Sequence, residues 1–122
     1  METILGKVIV GKKRGKSLGF PTANVHLEII IPEGIYISKT MWDNKKYRSV
    51  TFIGRAETFG ETYYQAETYL LEFDHDLYGK TIKIELLSKI RESHKFDSWE
   101  TLVSQMKDDV NKTREYFIKN PL

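Results

Sequence analysis

The sequence predicts a small β-rich domain closed by one C-terminal helix, as a barrel or a sheet covered on one opening or face. Two observations carry this. Segments with strand character alternate with turn signals through most of the 122 residues, and only the last quarter has the apolar spacing of a long helix. This length fits a single domain over 1–122, and 40% hydrophobic residues supply one core without disulfides or structural metal.

The first strand is expected over Ile4–Val10, where β-branched density ends at Gly11. After Pro32-Glu33-Gly34 the pattern predicts a hairpin, with Ile35, Tyr36 and Ile37 on one arm and Tyr47, Val50 and Phe52 on the other. Asp43-Asn44 forms its turn and Gly54 closes it. Tyr63–Phe73 reads as a further strand, Asp74–Gly79 as a tight turn, and Thr81–Leu87 as a last strand in which Ile82, Ile84 and Leu86 alternate with Lys83, Glu85 and Leu87. The helix is expected to start with Asp97 as cap and Glu100 completing a capping box. Trp99, Leu102, Val103, Met106, Val110 and Phe117 then share one buried stripe, and Pro121 lies just beyond the end.

Composition removes several classes of function. Without cysteine there is no thiolate catalysis, Cys-ligated zinc or disulfide framework, which fits a reducing cytoplasm. Nineteen basic residues against 17 acidic ones leave +2, so no broad field for nucleic acid is expected. The N-terminus lacks signal-peptide features, and apolar runs such as Ile29-Ile30-Ile31 fall far short of the ~20 residues a membrane span needs. A cytoplasmic monomer without membrane or nucleic-acid partners is the expectation.

The most informative stretch is Gly11-Lys12-Lys13-Arg14-Gly15-Lys16-Ser17-Leu18-Gly19-Phe20-Pro21-Thr22-Ala23-Asn24. Glycines at four-residue intervals let backbone N–H groups approach a ligand, and four basic side chains offset charge, as a polyanion such as ATP requires. A solvated hairpin loop is the plain alternative. Gly6–Lys12 satisfies the first seven Walker A positions, but Lys13 stands where Ser or Thr is required. Gly11–Ser17 is one residue short between its glycines, and Gly19 and Pro21 interrupt the helix that should follow. A P-loop NTPase is therefore excluded. Thr22 can offer a hydroxyl and Asn24 a carbonyl oxygen to Mg²⁺, although each alone is more often a turn or capping residue.

Through nearly its whole length the chain resembles the riboflavin kinase (flavokinase) family, which also occurs as the C-terminal module of bifunctional FAD-synthesis enzymes. The resemblance rests on Gly6–Val8, Leu18-Gly19-Phe20-Pro21-Thr22-Ala23-Asn24, Gly34-Ile35-Tyr36, Glu67–Phe73, Asp76-Leu77-Tyr78-Gly79, Ile90-Arg91 and Lys95-Phe96-Asp97-Ser98. It implies a six-stranded antiparallel Greek-key barrel with a C-terminal helix, acting on Mg²⁺–ATP and riboflavin to give FMN and ADP. It further implies that Gly11, Lys16, Thr22 and Asn24 hold nucleotide phosphates and Mg²⁺, with Tyr78 beside the nucleotide. Glu67 would be the catalytic base, and Arg91 and His94 would lie on a flap touching flavin or phosphate. By pattern alone, Glu67 shares a strand face with Gln65, Tyr69 and Leu71; a surface carboxylate paired across the sheet is the alternative.

The chain departs from the family pattern at Phe52 and Glu57, which stand where many members have Asn and Pro, and at Ser93 near the flap. No adenylyltransferase segment precedes Met1, so the expected product is FMN rather than FAD. Two other readings remain: a non-catalytic flavin- or nucleotide-binding regulator of the same fold, and a small β-barrel that binds single-stranded nucleic acid through Lys12, Lys13, Arg14 and Lys16.

Overall fold

A computed structural model describes residues 2–9, 21–58 and 61–122, the side chains of 56–58 and 61–63 excepted. The strands are β1 (Thr3–Ile9), β2 (Ala23–His26), β3 (Gly34–Trp42), β4 (Lys45–Thr58), β5 (Glu61–Leu70) and β6 (Thr81–Arg91), followed by the helix α1 (Trp99–Lys119). They close into an antiparallel barrel in the order β1-β2-β5-β4-β3-β6, with β6 pairing back to β1. Because β3, β4 and β5 form a meander and β2 returns beside β5, the topology is the Greek key that the resemblance implies.

Alternation fixes which side chains fill the barrel. Ile4 and Val8 of β1, Val25 of β2, Tyr36 of β3, Ile53 of β4, Ala66 and Leu70 of β5, and Ile82, Ile84 and Leu86 of β6 form one buried cluster. The β3–β4 hairpin turns at Asp43 and Asn44, both at positive φ (53° and 61°), the pairing a two-residue turn of matching twist needs. Gly6 permits the approach of β1 to β2, since a Cβ there would run into the Val25 side chain.

Five hydroxyls share the inward side with this apolar cluster. Thr40, Ser49, Ser38, Thr51 and Thr68 are fully buried and bonded in that sequence at 2.8, 2.6, 2.7 and 3.0 Å. The chain runs across β3, β4 and β5 and satisfies groups that would each be costly to bury alone. Thr51 bonds both Ser38 and Thr68. Replacing it with the similarly shaped valine is expected to destabilise the fold by about 1–3 kcal/mol, read as a lower urea midpoint. An unchanged midpoint would remove the chain from the account of stability.

α1 packs on the outer side of β4. Asp109, Thr113 and Phe117 are its buried residues, at four-residue steps on one face. Trp99, expected on the buried stripe, is 57% exposed because it opens the first turn. The cap also differs from expectation. Ser98, not Asp97, accepts from the backbone N–H of Thr101, and Thr101 closes the capping box in place of Glu100. Glu72 ties the barrel to the helix by ion pairs with Arg48 of β4 and Arg114 of α1. The hydrogen bond from Arg114, followed by the charge of Arg48, holds its carboxyl below the usual carboxylate range. A lowered folded-state value means that this tether stabilises above the unfolded value and is lost as pH falls through the lowered one.

Several boundaries differ from the sequence reading. β4 does not stop at Gly54 but continues to Thr58, β5 ends at Leu70 rather than Phe73, and β6 continues to Arg91 rather than Leu87. The last of these carries Arg91 onto the sheet. No helix among the described residues is long and apolar enough to cross a membrane.

Candidate active site

The site is organised by strand register. Asn24 on β2 stands opposite Glu67 on β5, Glu67 opposite Phe52 on β4, Phe52 opposite Ile35 on β3, and Ile35 opposite Arg91 on β6. Directly paired residues of an antiparallel sheet project to the same side. These five therefore form one row around the barrel, on the outer face because their neighbours Val25, Ala66, Ile53 and Tyr36 point into the core. Sequence positions 24, 52, 67 and 91 are thus brought together by the topology alone.

Asn24 is 4% exposed, and its Oδ1 is a buried oxygen without a hydrogen-bond partner among the described residues. Such an atom is rare and calls for an electropositive partner. Beside it, Glu67 accepts a hydrogen bond from Gln65 Nε2 at 2.6 Å, and Gln65 is itself buried. The two share a face at i and i+2 of β5, so the amide fixes the carboxylate while leaving one of its oxygens outside that bond. Gln65 was legible only as a face-mate of Glu67.

Tyr78 lies at the Asn24 end of this row. Its turn abuts β1, since Gly79 N–H donates to the Val8 carbonyl at 2.9 Å, and the next residue of β1, Ile9, pairs with Asn24. The ring is 60% exposed, so it offers a free face rather than a core contact. Within the same turn the Tyr78 N–H donates to Asp76 Oδ1. Gly11 and Lys16 lie outside the described residues, while Thr22 precedes β2 and is half-buried, two residues from Asn24.

Arg91 ends β6 at the opposite end of the row. It grips Asp109 of α1 with two bonds, Nε to Oδ1 at 2.9 Å and Nη2 to Oδ2 at 2.7 Å, while Nη1 donates to the Glu92 carbonyl. Gln105 Nε2 adds a third bond to Asp109. This geometry makes Arg91 an anchor between strand and helix, which the sequence did not indicate. Asp109 gave one signal only: a carboxylate between Met106 and Val110, both on the predicted apolar stripe. Arg91 also lies over the Phe96 ring, 5.9 Å from its centroid, and His94 meets that ring at 4.3 Å. Arg91, which the resemblance implied to lie on a flap but which the structure places at the end of β6, and His94 therefore converge on Phe96.

Next to the row is an open cleft of about 450 Å³ lined by Ile30, Ile31, Pro32, Glu33, Phe52, Gly54, Arg55 and Tyr64. Arg55 joins its polar residues, with Nε 3.1 Å from Glu33 and 3.2 Å from the Tyr64 hydroxyl.

The Flavokinase (riboflavin kinase) family matches residues 2–117. The chain belongs to the riboflavin kinase family. It is 40% identical over 117 residues to the trifunctional protein RibF/MnmA of Mycoplasmoides gallisepticum, covering 93% of this chain and 18% of that one. It is 38% identical over 120 residues to the bifunctional riboflavin kinase/FMN adenylyltransferase of Bacillus subtilis, covering 93% and 38%. The chain thus spans well under half the length of these relatives. The crystal structure of riboflavin kinase from Trypanosoma brucei superposes with a TM-score of 0.67 at 29% identity, over 96% of this chain and 80% of that one.

The Asn24 oxygen, without a hydrogen-bond partner among the described residues, is where the fit of a Mg²⁺ ion can be tested. A neutral carbonyl oxygen is a donor the ion accepts, and Thr22 places a hydroxyl two residues away. Among the described residues, no group of three or more carboxylates and imidazoles converges to hold a metal. The donor set fits an ion that brings phosphate oxygens with it rather than one caged by protein alone. Replacing Asn24 with alanine is expected to raise the Mg²⁺ concentration needed for half-maximal turnover by about tenfold. An unchanged requirement would place the ion elsewhere.

Proposed function

We propose that this chain catalyses transfer of the γ-phosphate of Mg-ATP to the 5′-hydroxyl of riboflavin, giving FMN and ADP. The observation that carries this reading is the register pairing of Asn24 with Glu67. It sets an oxygen suited to Mg²⁺ beside a carboxylate suited to take a proton. Thr22 and Asn24 would hold the ion, which supplies charge neutralisation on the phosphates when bound.

The protein's own groups then divide the work. Glu67, oriented by Gln65, accepts the proton of the ribityl hydroxyl as that oxygen attacks phosphorus and the bond to the ADP oxygen breaks. Tyr78, Gly11 and Lys16 would bind the nucleotide. Arg91, held by Asp109, fixes the segment that presents His94 and Phe96 toward the flavin. Little covalent chemistry is asked of the protein, so positioning supplies most of the effect.

The nucleotide is tested by offering ATP, GTP and CTP in parallel with riboflavin and Mg²⁺. Faster FMN formation with ATP is expected. Equal rates with all three would leave phosphoryl transfer standing and remove the adenine preference.

A further inference from the structure

Gln65 faces outward on β5 and is nonetheless buried, which adds a positioning residue to the riboflavin kinase reading on which the inference rests. It shares the outer face of the strand with Glu67, yet it is 5% exposed. Strand register explains the burial. Gln65 stands between His26 of β2 and Gly54 of β4. The space a side chain would take at Gly54 is filled by the ring of Phe52, folded forward along its own strand. That ring is therefore the cross-strand neighbour of Gln65 and keeps water off its amide.

A buried amide finds its hydrogen bonds within the protein. Gln65 Nε2 donates to Glu67 Oε1 at 2.6 Å. Chemistry settles which end of the amide faces the acid, because an ionised carboxylate only accepts. The bond matters for Glu67 because that side chain is half-buried and has three torsions, so packing alone leaves its carboxylate a choice of rotamers. A hydrogen bond to a charged acceptor, shielded from solvent, selects one of them.

The donor is also neutral. An ammonium or guanidinium in its place would hold the carboxylate more tightly and make it a weaker base. An amide fixes the geometry with less loss of basicity, and a carboxylate has about four acceptor sites, so one bond leaves room for the incoming proton. We infer that Gln65 is the positioning residue for Glu67, holding the carboxylate in the rotamer that meets the ribityl hydroxyl while leaving it basic enough to take the proton.

The test is a double-mutant cycle on the full chain, with Gln65→Met, Glu67→Gln and the two combined. Methionine keeps the unbranched shape and removes the amide; Gln65→Leu stands in if that variant fails to fold, as read by its urea midpoint. In the Glu67 background kcat for FMN formation is expected to fall at least about tenfold, within the ~100-fold that a misplacement of about 1 Å costs, with both KM values unchanged. In the Glu67→Gln background the same substitution should change kcat no further, since no base is left to position. A folded Gln65→Met protein with wild-type kcat would overturn the role while leaving the kinase reading intact. Equal fractional losses in the two backgrounds would also overturn it, because a merely structural defect acts without reference to Glu67. Wild type that forms no FMN would take down both readings together.

Discussion

Glu67→Gln is expected to lower kcat for FMN formation by at least about 100-fold, the lower end of what a positioned general base contributes. The substitution keeps the shape of the side chain and leaves an amide oxygen for the bond from Gln65. The fold and the pairing of β5 with β2 and β4 should therefore persist, and thermal unfolding should stay near wild type. What the amide cannot do is take the proton of the attacking hydroxyl at neutral pH. Rapid-quench measurement of FMN at saturating Mg-ATP and riboflavin checks this. Full turnover in the variant would strip Glu67 of the role and leave catalysis to positioning and charge neutralisation alone.

Asp109→Ala carries the largest expected loss of stability. The carboxylate is 5% exposed and its partner Arg91 17%, and two charge-assisted bonds join them. Removing the acid leaves a guanidinium mostly out of water without its counter-charge, which costs on the order of 3 kcal/mol. Gln105 also loses its acceptor. For a domain of this size that corresponds to a drop of roughly 10 °C in Tm. Adding Arg91→Met to Asp109→Ala should recover part of the loss, since the stranded charge is then gone. A double variant no more stable than Asp109→Ala alone would show that the ion pair is not the source. Because Arg91 starts the segment that carries His94 and Phe96, Asp109→Ala should also raise the riboflavin KM.

The pattern of legibility follows from what local sequence can encode. The β3–β4 turn was readable because Asp43-Asn44 is one of few pairs that tolerate positive φ at both positions. β6 was readable because Ile82, Ile84 and Leu86 alternate without interruption. β2 was not recognised as a strand. Its four residues are too short for a period to declare itself, and they overlap a motif whose glycines and proline read as loop. The extent of β4 was missed because Gly54 reads as a stop, whereas here the ring of Phe52 covers it within the strand.

The inward hydroxyls mislead in another way. Nothing in the sequence marks Ser38, Thr40, Ser49, Thr51 and Thr68 as buried partners, and only the register across β3, β4 and β5 shows that they satisfy one another. At the site, Asn24 and Glu67 were legible as separate candidates through the resemblance. Their adjacency was not, because it depends on β2 and β5 coming together across the meander and loops that separate Asn24 from Glu67 in the chain, as a Greek key allows. Asp109 was hidden for a related reason: a carboxylate on a helix is ordinarily solvated, and its burial is set by Arg91 eighteen positions away.

Phosphoryl transfer to riboflavin is tested most directly by incubating the folded chain with riboflavin, ATP and Mg²⁺ and separating the products by chromatography. FMN and ADP are expected to accumulate in equal amounts, and to stop accumulating when EDTA is added. Riboflavin recovered unchanged, or ADP formed without FMN, would contradict the account.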